Sequence, residues 1–425
     1  MVGLSKSWSR SMDVYSWCSM LASGVTRSFN FFIWAIFHSL VSSANAATRA
    51  GGTKHDFWIV LKWSLEIMQT GLWPLLDWRG QPLRGTDDRR RAGSPLAGSA
   101  TSYFVCVLVG IRSDLDFDVK ELHLPDFRRS LCAFCPATPI HGPNCINEFR
   151  ENVATWMGAC YNIADWPLRD TTTVALFKIP GVSILTKMPD FMHSKHLGTD
   201  MYFYASVLWM LCYQLLGNSA LTNLETVWTE LQRFAKRNGI KTYSNMRQSM
   251  FTNPLAPHGQ FPRLKGRAAE IRALGKPLAH VWEMYRNPTD MQHTQVSLAL
   301  RKNIAMEDIL EDNKSNIVLP RLEYERFRRA GFDFLVLFNA LGGHFAELGR
   351  KLFNVTIKAH YVGHGILRAR HINPRWGWCY SGEDFMGITK RLMAACCKGN
   401  TPAQAARKFA KHYRIGLHNE LAAVR

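Results

Sequence analysis

The stretch KMPDFMHSKHLGTD, residues 187–200, sets Asp190 three positions before His193 where an apolar, β-like run gives way to an aromatic helix. A carboxylate held beside an imidazole at such a junction can ligate a divalent metal ion, with the histidine orienting the acid or a phosphate. The same residues also have an ordinary structural use. Aspartate is among the common helix N-caps, since its side chain accepts from the first free backbone N–H groups. His193 taken alone reads as a core histidine satisfied by backbone.

A second pattern lies upstream in LCAFCPAT, where Cys132 and Cys135 have the spacing of a metal clip. Two thiolates supply half of a tetrahedral zinc shell. The other half has a candidate in KAHYVGHGIL, where His360 and His364 stand four apart and share one face if the segment is helical. So wide a separation excludes a zinc finger and implies a staple between distant parts of the chain. Ordinary buried cysteines and a solvent-facing histidine pair remain the alternative.

The third pattern is NPRWGWCYSGEDFMGITKRLMAACCKG, in which Glu383 and Asp384 open a helix with apolar positions at Phe385, Met386, Ile388, Leu392 and Met393. Acids in a first helical turn favour the helix dipole. A carboxylate there can equally join acids on neighbouring strands around Mg²⁺ or Mn²⁺, because Mg²⁺ is usually held by one or two protein carboxylates plus phosphate oxygens and water. Between residues 360 and 425 there are 11 Lys or Arg against three acids. Arg375, Lys390, Arg391, Lys398, Arg407, Lys408 and Lys411 are candidates for phosphate contact there. A solvated basic helix face is the other reading.

The elements that must position these groups follow from hydrophobic pattern. The chain has 425 residues, 47% of them hydrophobic, enough for a sizeable core. Its formal charge of +19, from 52 basic and 33 acidic residues, favours a polyanionic partner. Ten cysteines without scaffold-like spacing point to a reducing compartment. TSYFVCVLVGI (101–111) and GVSILTKM (181–188) read as buried strands. INEFRENVATWMGACYNI (146–163) reads as helix, as do HDFWIVLKWSLEIMQTGLW, the internal DMYFYASVLWMLCYQLL and most of 220–355, apart from a Pro-rich loop at 254–262. The uncharged FNFFIWAIFHSLV, followed by the Ala44-Asn45-Ala46 triplet, has features of a targeting segment. A membrane-associated or secreted protein is therefore a further reading, set against a nuclear one.

In this order the motifs resemble the CACTA and Plavaka type of DD-E transposases, which have an RNase H-like core. The likeness rests on Asp190 and His193 as a D-x-x-H motif followed by Leu-Gly, and on the CxxC before it. It rests also on the histidine pair, Asn-Pro, Arg-Trp and Tyr ahead of a helical Glu. It implies an α/β fold, a mixed sheet interrupted by a large helical insertion. It implies DNA strand cleavage and transfer, with Asp190 and Glu383 as metal ligands and His193 as partner of the acid. By likeness to the recombinase that joins antigen-receptor genes, Cys132, Cys135, His360 and His364 would hold structural Zn²⁺. The family's first acid has no clear counterpart. Asp114 is the best placed, with Asp56 and Asp116 as alternates. A copy lacking that acid would be a degenerate or domesticated DNA-binding descendant.

The expected organisation is a leader over 1–52, the first part of the core over 53–200, a helical insertion over 201–355, and the last part of the core over 356–425. DNA is the expected partner and the nucleus the expected compartment. Self-association is left open, and no small-molecule substrate is expected.

Overall fold

The computed structural model describes residues 12–20, 30–42 and 51–422. Strands β1 (Met12–Cys18) and β2 (Asn30–Phe37) precede helix α1 (Thr53–Thr70). The short helix α2 (Leu115–Lys120) follows, then α3 (Asp200–Met210), α4 (Ala220–Arg237), α5 (Ala268–Tyr285) and α6 (Met291–Asp312). The last four are α7 (Arg321–Glu347), α8 (Ile357–Arg368), α9 (Tyr380–Cys397) and α10 (Pro402–Ala422). The architecture is α-rich, with two small antiparallel ladders among the described residues.

The chain forms two compact units, one of residues 1–109, 170–183 and 379–425, the other of 110–169 and 184–378. In the first, β1 pairs antiparallel with β2. Phe37 at the end of β2 packs with Met393, Cys396 and Cys397 of α9 and with Ala405 and Phe409 of α10. The Phe32 amide donates to the Tyr413 hydroxyl at 2.9 Å. Most of the apolar run with features of a targeting segment thus forms β2, an apolar strand that packs on α9 and α10. The Ala44-Asn45-Ala46 triplet lies outside the described residues. No helix among the described residues is long and apolar enough to cross a membrane.

The second unit is mostly helical. α3 is apolar all round and buried on nearly every side, as expected of an internal helix. α6, α7 and α8 meet at Gly331, where a Cβ would lie 2.5 Å from Ile366 and 3.3 Å from Met306. A side chain there would force the helices apart. Side-chain caps fix several helix starts: Ser219 accepts from Thr222 N, Asp290 from His293 N, and Thr356 from Lys358 N.

Two expectations change. The stretch 101–111 is not a continuous buried strand. Ser102–Tyr103 forms a two-residue ladder with Gly98–Ser99, and Phe104, Val105, Val107 and Val109 are exposed. Only its end pairs with the 181–188 run, through a parallel bridge between Ile111 and Lys187. Strand propensity alone cannot supply the flanking strands that a buried parallel sheet needs. The expected helix over 146–163 is also absent, with turns and a single 3₁₀ turn at Thr155–Met157 in its place. Here tertiary contacts override local preference. Trp156 is buried and donates its indole N–H to the Glu148 carbonyl at 2.7 Å, while the Ile146 carbonyl faces the His360 ring.

Candidate metal centre and acid site

Helix α8 carries His360 and His364 one turn apart, both fully buried. The loop before Pro136 carries Cys132 and Cys135, also buried. Cys132 Sγ lies 3.3 Å from His364 Nε2, Cys135 Sγ lies 3.2 Å from His360 Nε2, and the two Nε2 atoms are 3.1 Å apart. The four ligand atoms all lie within 4.8 Å of one another. This is a buried Cys/His cluster able to hold a metal ion, and its donor set is that of tetrahedral structural sites.

Surrounding groups fix the orientation of the donors. The Nδ1 of His360 faces the Ile146 carbonyl at 3.1 Å, which directs its Nε2 inward, a common outer-shell device for ligating histidines. The Phe134 amide donates to Cys132 Sγ at 3.3 Å. Trp156 lies against both imidazoles, with ring centroids at 4.3 and 5.0 Å. Gly363 makes this contact possible, since a Cβ there would sit 2.9 Å from the indole.

The electrostatics suit a cation. Burial opposes ionisation of Cys132, but the hydrogen bond from Cys135 and the neighbouring histidines outweigh it and hold the thiol well below its ordinary range. Cys135, which shares its proton with that thiolate in a buried place, is raised. Burial lowers His364 to about 4 although the Cys132 thiolate opposes the shift, so its imidazole is neutral at pH 7.

The acid site lies in the same unit. The Ile111–Lys187 bridge is parallel, with the Ile111 amide on the Thr186 carbonyl at 2.9 Å and the Met188 amide on the Ile111 carbonyl at 3.0 Å. Asp114 and Asp190 therefore follow the C-terminal ends of two paired segments. Asp190 is 1% exposed. One of its oxygens accepts from Met192 N at 3.0 Å and His193 N at 3.4 Å, and the other faces His193 Nδ1. Capping and acid–imidazole pairing thus coexist in one residue. Asp114 caps α2 through Phe117 N at 2.7 Å. Asp116, by contrast, is exposed and paired with Lys120 and Arg128. Lys358 is near all three acids: burial and Arg263 lower its pKa, and Asp190, Asp114 and Asp116 oppose the shift.

The remaining candidates are distributed as follows. Glu383 is exposed in the first turn of α9, in the first unit, where Asp56 on α1 also lies. Lys390, Arg391, Lys398, Arg407, Lys408 and Lys411 are exposed on and between α9 and α10. Arg375 pairs with Glu311 at 2.8 Å and lies 4.6 Å over the Trp378 ring.

A buried ionic cluster lies just beyond the D-x-x-H motif. Lys195 Nζ is 2.9 Å from Asp200 and 2.7 Å from Glu307, and His196 Nε2 is 3.0 Å from Glu307. The set His196, Asp200 and Glu307 has ligand-like geometry, but the Lys195 ammonium already supplies a cation to both carboxylates. Sequence reading passed over it, although Lys195, His196 and Asp200 all lie in the opening stretch. Three ionisable residues at the head of an internal helix were the available signal, because such groups must be paired to be buried.

No family model, no curated protein and no solved structure matches this chain.

Proposed function

We propose that this protein is a DNA-processing enzyme of the transposase kind, cleaving and transferring strands with a divalent ion at its carboxylates. The observation that carries the reading is the parallel bridge between Ile111 and Lys187, which brings Asp114 and Asp190 to adjacent segment ends. This is the arrangement that an RNase H-like core would give its first two acids, and it favours Asp114 over Asp56 and Asp116.

The donor chemistry fits. Asp114 uses one oxygen for capping and has no protein donor on the other among the described residues. Asp190 keeps acceptor capacity beside His193, since each carboxylate oxygen can accept more than one bond. Mg²⁺ or Mn²⁺, when bound, would activate a water or a 3′-hydroxyl for attack on a phosphodiester. The chain's own part is to hold Asp190 in one rotamer through Met192 N and His193, and to offer the Lys358 cation close to the acids. The Cys132, Cys135, His360, His364 set would hold Zn²⁺ as a clamp between the loop and α8. DNA would be the partner and the nucleus the compartment.

A second reading is favoured by one observation: Asp114 performs ordinary capping. On that reading the chain is a catalytically inactive, transposase-derived DNA-binding protein that keeps its structural zinc.

Plasmid nicking with Mg²⁺ or Mn²⁺ separates the two. Wild type should nick, Asp190→Ala and Asp114→Ala should lose at least ~100-fold, and Glu383→Ala tests the acid of the other unit. Equal nicking by wild type and the Asp190 and Asp114 variants would remove the catalytic reading.

A further inference from the structure

Beside the Asp190–His193 pair the second unit holds a cavity of about 800 Å³, lined by His193, Lys358 and the loop of residues 249–266. That volume falls in the range of sites that enclose whole ligands, ~300–1,000 Å³. Arg263, Lys265 and Lys358 all line it, and no acidic residue does among the described residues. None of the three cations has a carboxylate partner at ion-pair distance among the described residues. Arg263 donates Nε to the Met201 thioether at 3.3 Å, Lys265 reaches the Ser249 carbonyl at 2.8 Å, and Lys358 reaches the Leu197 carbonyl at 2.8 Å. Three positive groups converging on one space, each hydrogen-bonded to a neutral acceptor and none in a close ion pair among the described residues, form an anion site, although Lys358 also feels the more distant Asp190, Asp114 and Asp116.

The loop that carries two of these cations is anchored. The Leu264 amide donates to the Met201 carbonyl at 3.0 Å and the Arg263 amide to the Phe251 carbonyl at 2.8 Å. Leu264 and Phe251 are each 1% exposed, which fixes the loop to the core. Phe261, by contrast, is 41% exposed and lines the same cavity. A cationic wall with an exposed aromatic ring and amide side chains at Asn253 and Gln260 suits a phosphate ester bearing a flat heterocycle. Aromatic stacking with basic contacts to the backbone is how single strands are held without duplex geometry.

We propose that this cavity binds an unpaired nucleic-acid strand, with phosphates on Arg263, Lys265 and Lys358 and a base on Phe261. It deepens the reading of the protein as a DNA-processing enzyme and rests on it, because the strand would pass His193 beside Asp190. A free nucleotide shares the same chemistry, and the test separates the two sources.

The full chain would be titrated against a short fluorescein-labelled single-stranded DNA by anisotropy, with unlabelled duplex, dAMP and inorganic phosphate as competitors. Single strand should bind, and dAMP and phosphate should compete only at far higher concentration. Phe261→Ala should weaken binding about five- to 150-fold, and Arg263→Ala should weaken it and flatten its salt dependence. Phe261 is exposed, so that variant should fold, checked by circular dichroism. Unchanged binding in both variants would overturn the assignment. So would displacement by dAMP as effective as by the unlabelled strand, which would make this a free-nucleotide site. Binding that obeys these expectations without plasmid nicking would overturn the catalytic reading alone. Nicking that persists when both variants bind normally would overturn the cavity alone.

Discussion

Cys135 Sγ and His360 Nε2 lie 3.2 Å apart although 225 residues separate them in the chain. The contact joins a turn-rich loop to helix α8, and a metal ion shared with Cys132 and His364 would convert it from a packing contact into a cross-link.

The purified protein should therefore carry one equivalent of zinc per chain by elemental analysis. Cys135→Ser or His360→Ala should abolish it. Because structural zinc contributes folding energy outright, either change or strong chelation should lower the thermal midpoint. A loss of ~3 kcal/mol corresponds to ~6–12 °C for a unit of this size. Full metal content in both variants would refute the cluster.

Gly363→Ala tests the same centre without touching a ligand. The new methyl would lie 2.9 Å from the Trp156 indole, so the ring that backs both histidines must shift. Overpacking of this kind costs ~1–3 kcal/mol. Zinc affinity, measured by competition with a chromogenic chelator, should fall together with the midpoint.

Stability should respond to pH with two opposite signs. Burial raises Asp118 to about 6, against the pull of Lys187 and Ser113. A raised carboxyl binds more protons folded than unfolded, so its contribution is present below about pH 4 and is lost as pH rises through about 6. Glu311 is lowered to about 2, since Lys314, Arg375 and Arg272 outweigh its burial, and Glu307 is held low by Lys195, His196 and Arg272, again against burial. Their contribution is present above the ordinary glutamate range and is lost as pH falls below it. His364, lowered to about 4, contributes with the opposite sign to Asp118 between about pH 4 and 6.5, so each carboxyl is read from the difference between wild type and its variant. Relative to wild type, Asp118→Asn should gain midpoint as pH rises from about 4 to about 6, and Glu307→Gln should lose less on the acid side. An unaltered profile in Asp118→Asn would refute the assignment.

Duplex binding should depend on the basic surface of α9 and α10. Lys390, Arg391, Lys398, Arg407, Lys408 and Lys411 are exposed. If they contact phosphates, replacing three of them with alanine should reduce the slope of log K against log salt by ~2–3. Arg375→Ala should leave that slope unchanged while lowering stability, because its guanidinium is committed to Glu311 and Trp378. The opposite pattern would return Arg375 to the DNA contacts.

The sequence by itself determined most of the long helices and the identity of the candidate donors. Periodic apolar positions located α1, the internal α3 and the long α7. Spacing alone paired Cys132 with Cys135 and His360 with His364, because two ligands on one turn or one helix face are a local matter. The capping role of Asp190 and its pairing with His193 were equally local. What the tertiary structure decided were the relations between distant segments. It brought the two ligand pairs together, joined the ends before Asp114 and Asp190 in a parallel bridge, paired Arg375 with Glu311, and replaced the expected helix around Trp156 with turns that back the histidines. The physical reason is the same in each case. Propensity and periodicity reach only a turn or two along the chain, whereas a ligand shell, an ion pair or a parallel bridge depends on packing between segments far apart in sequence.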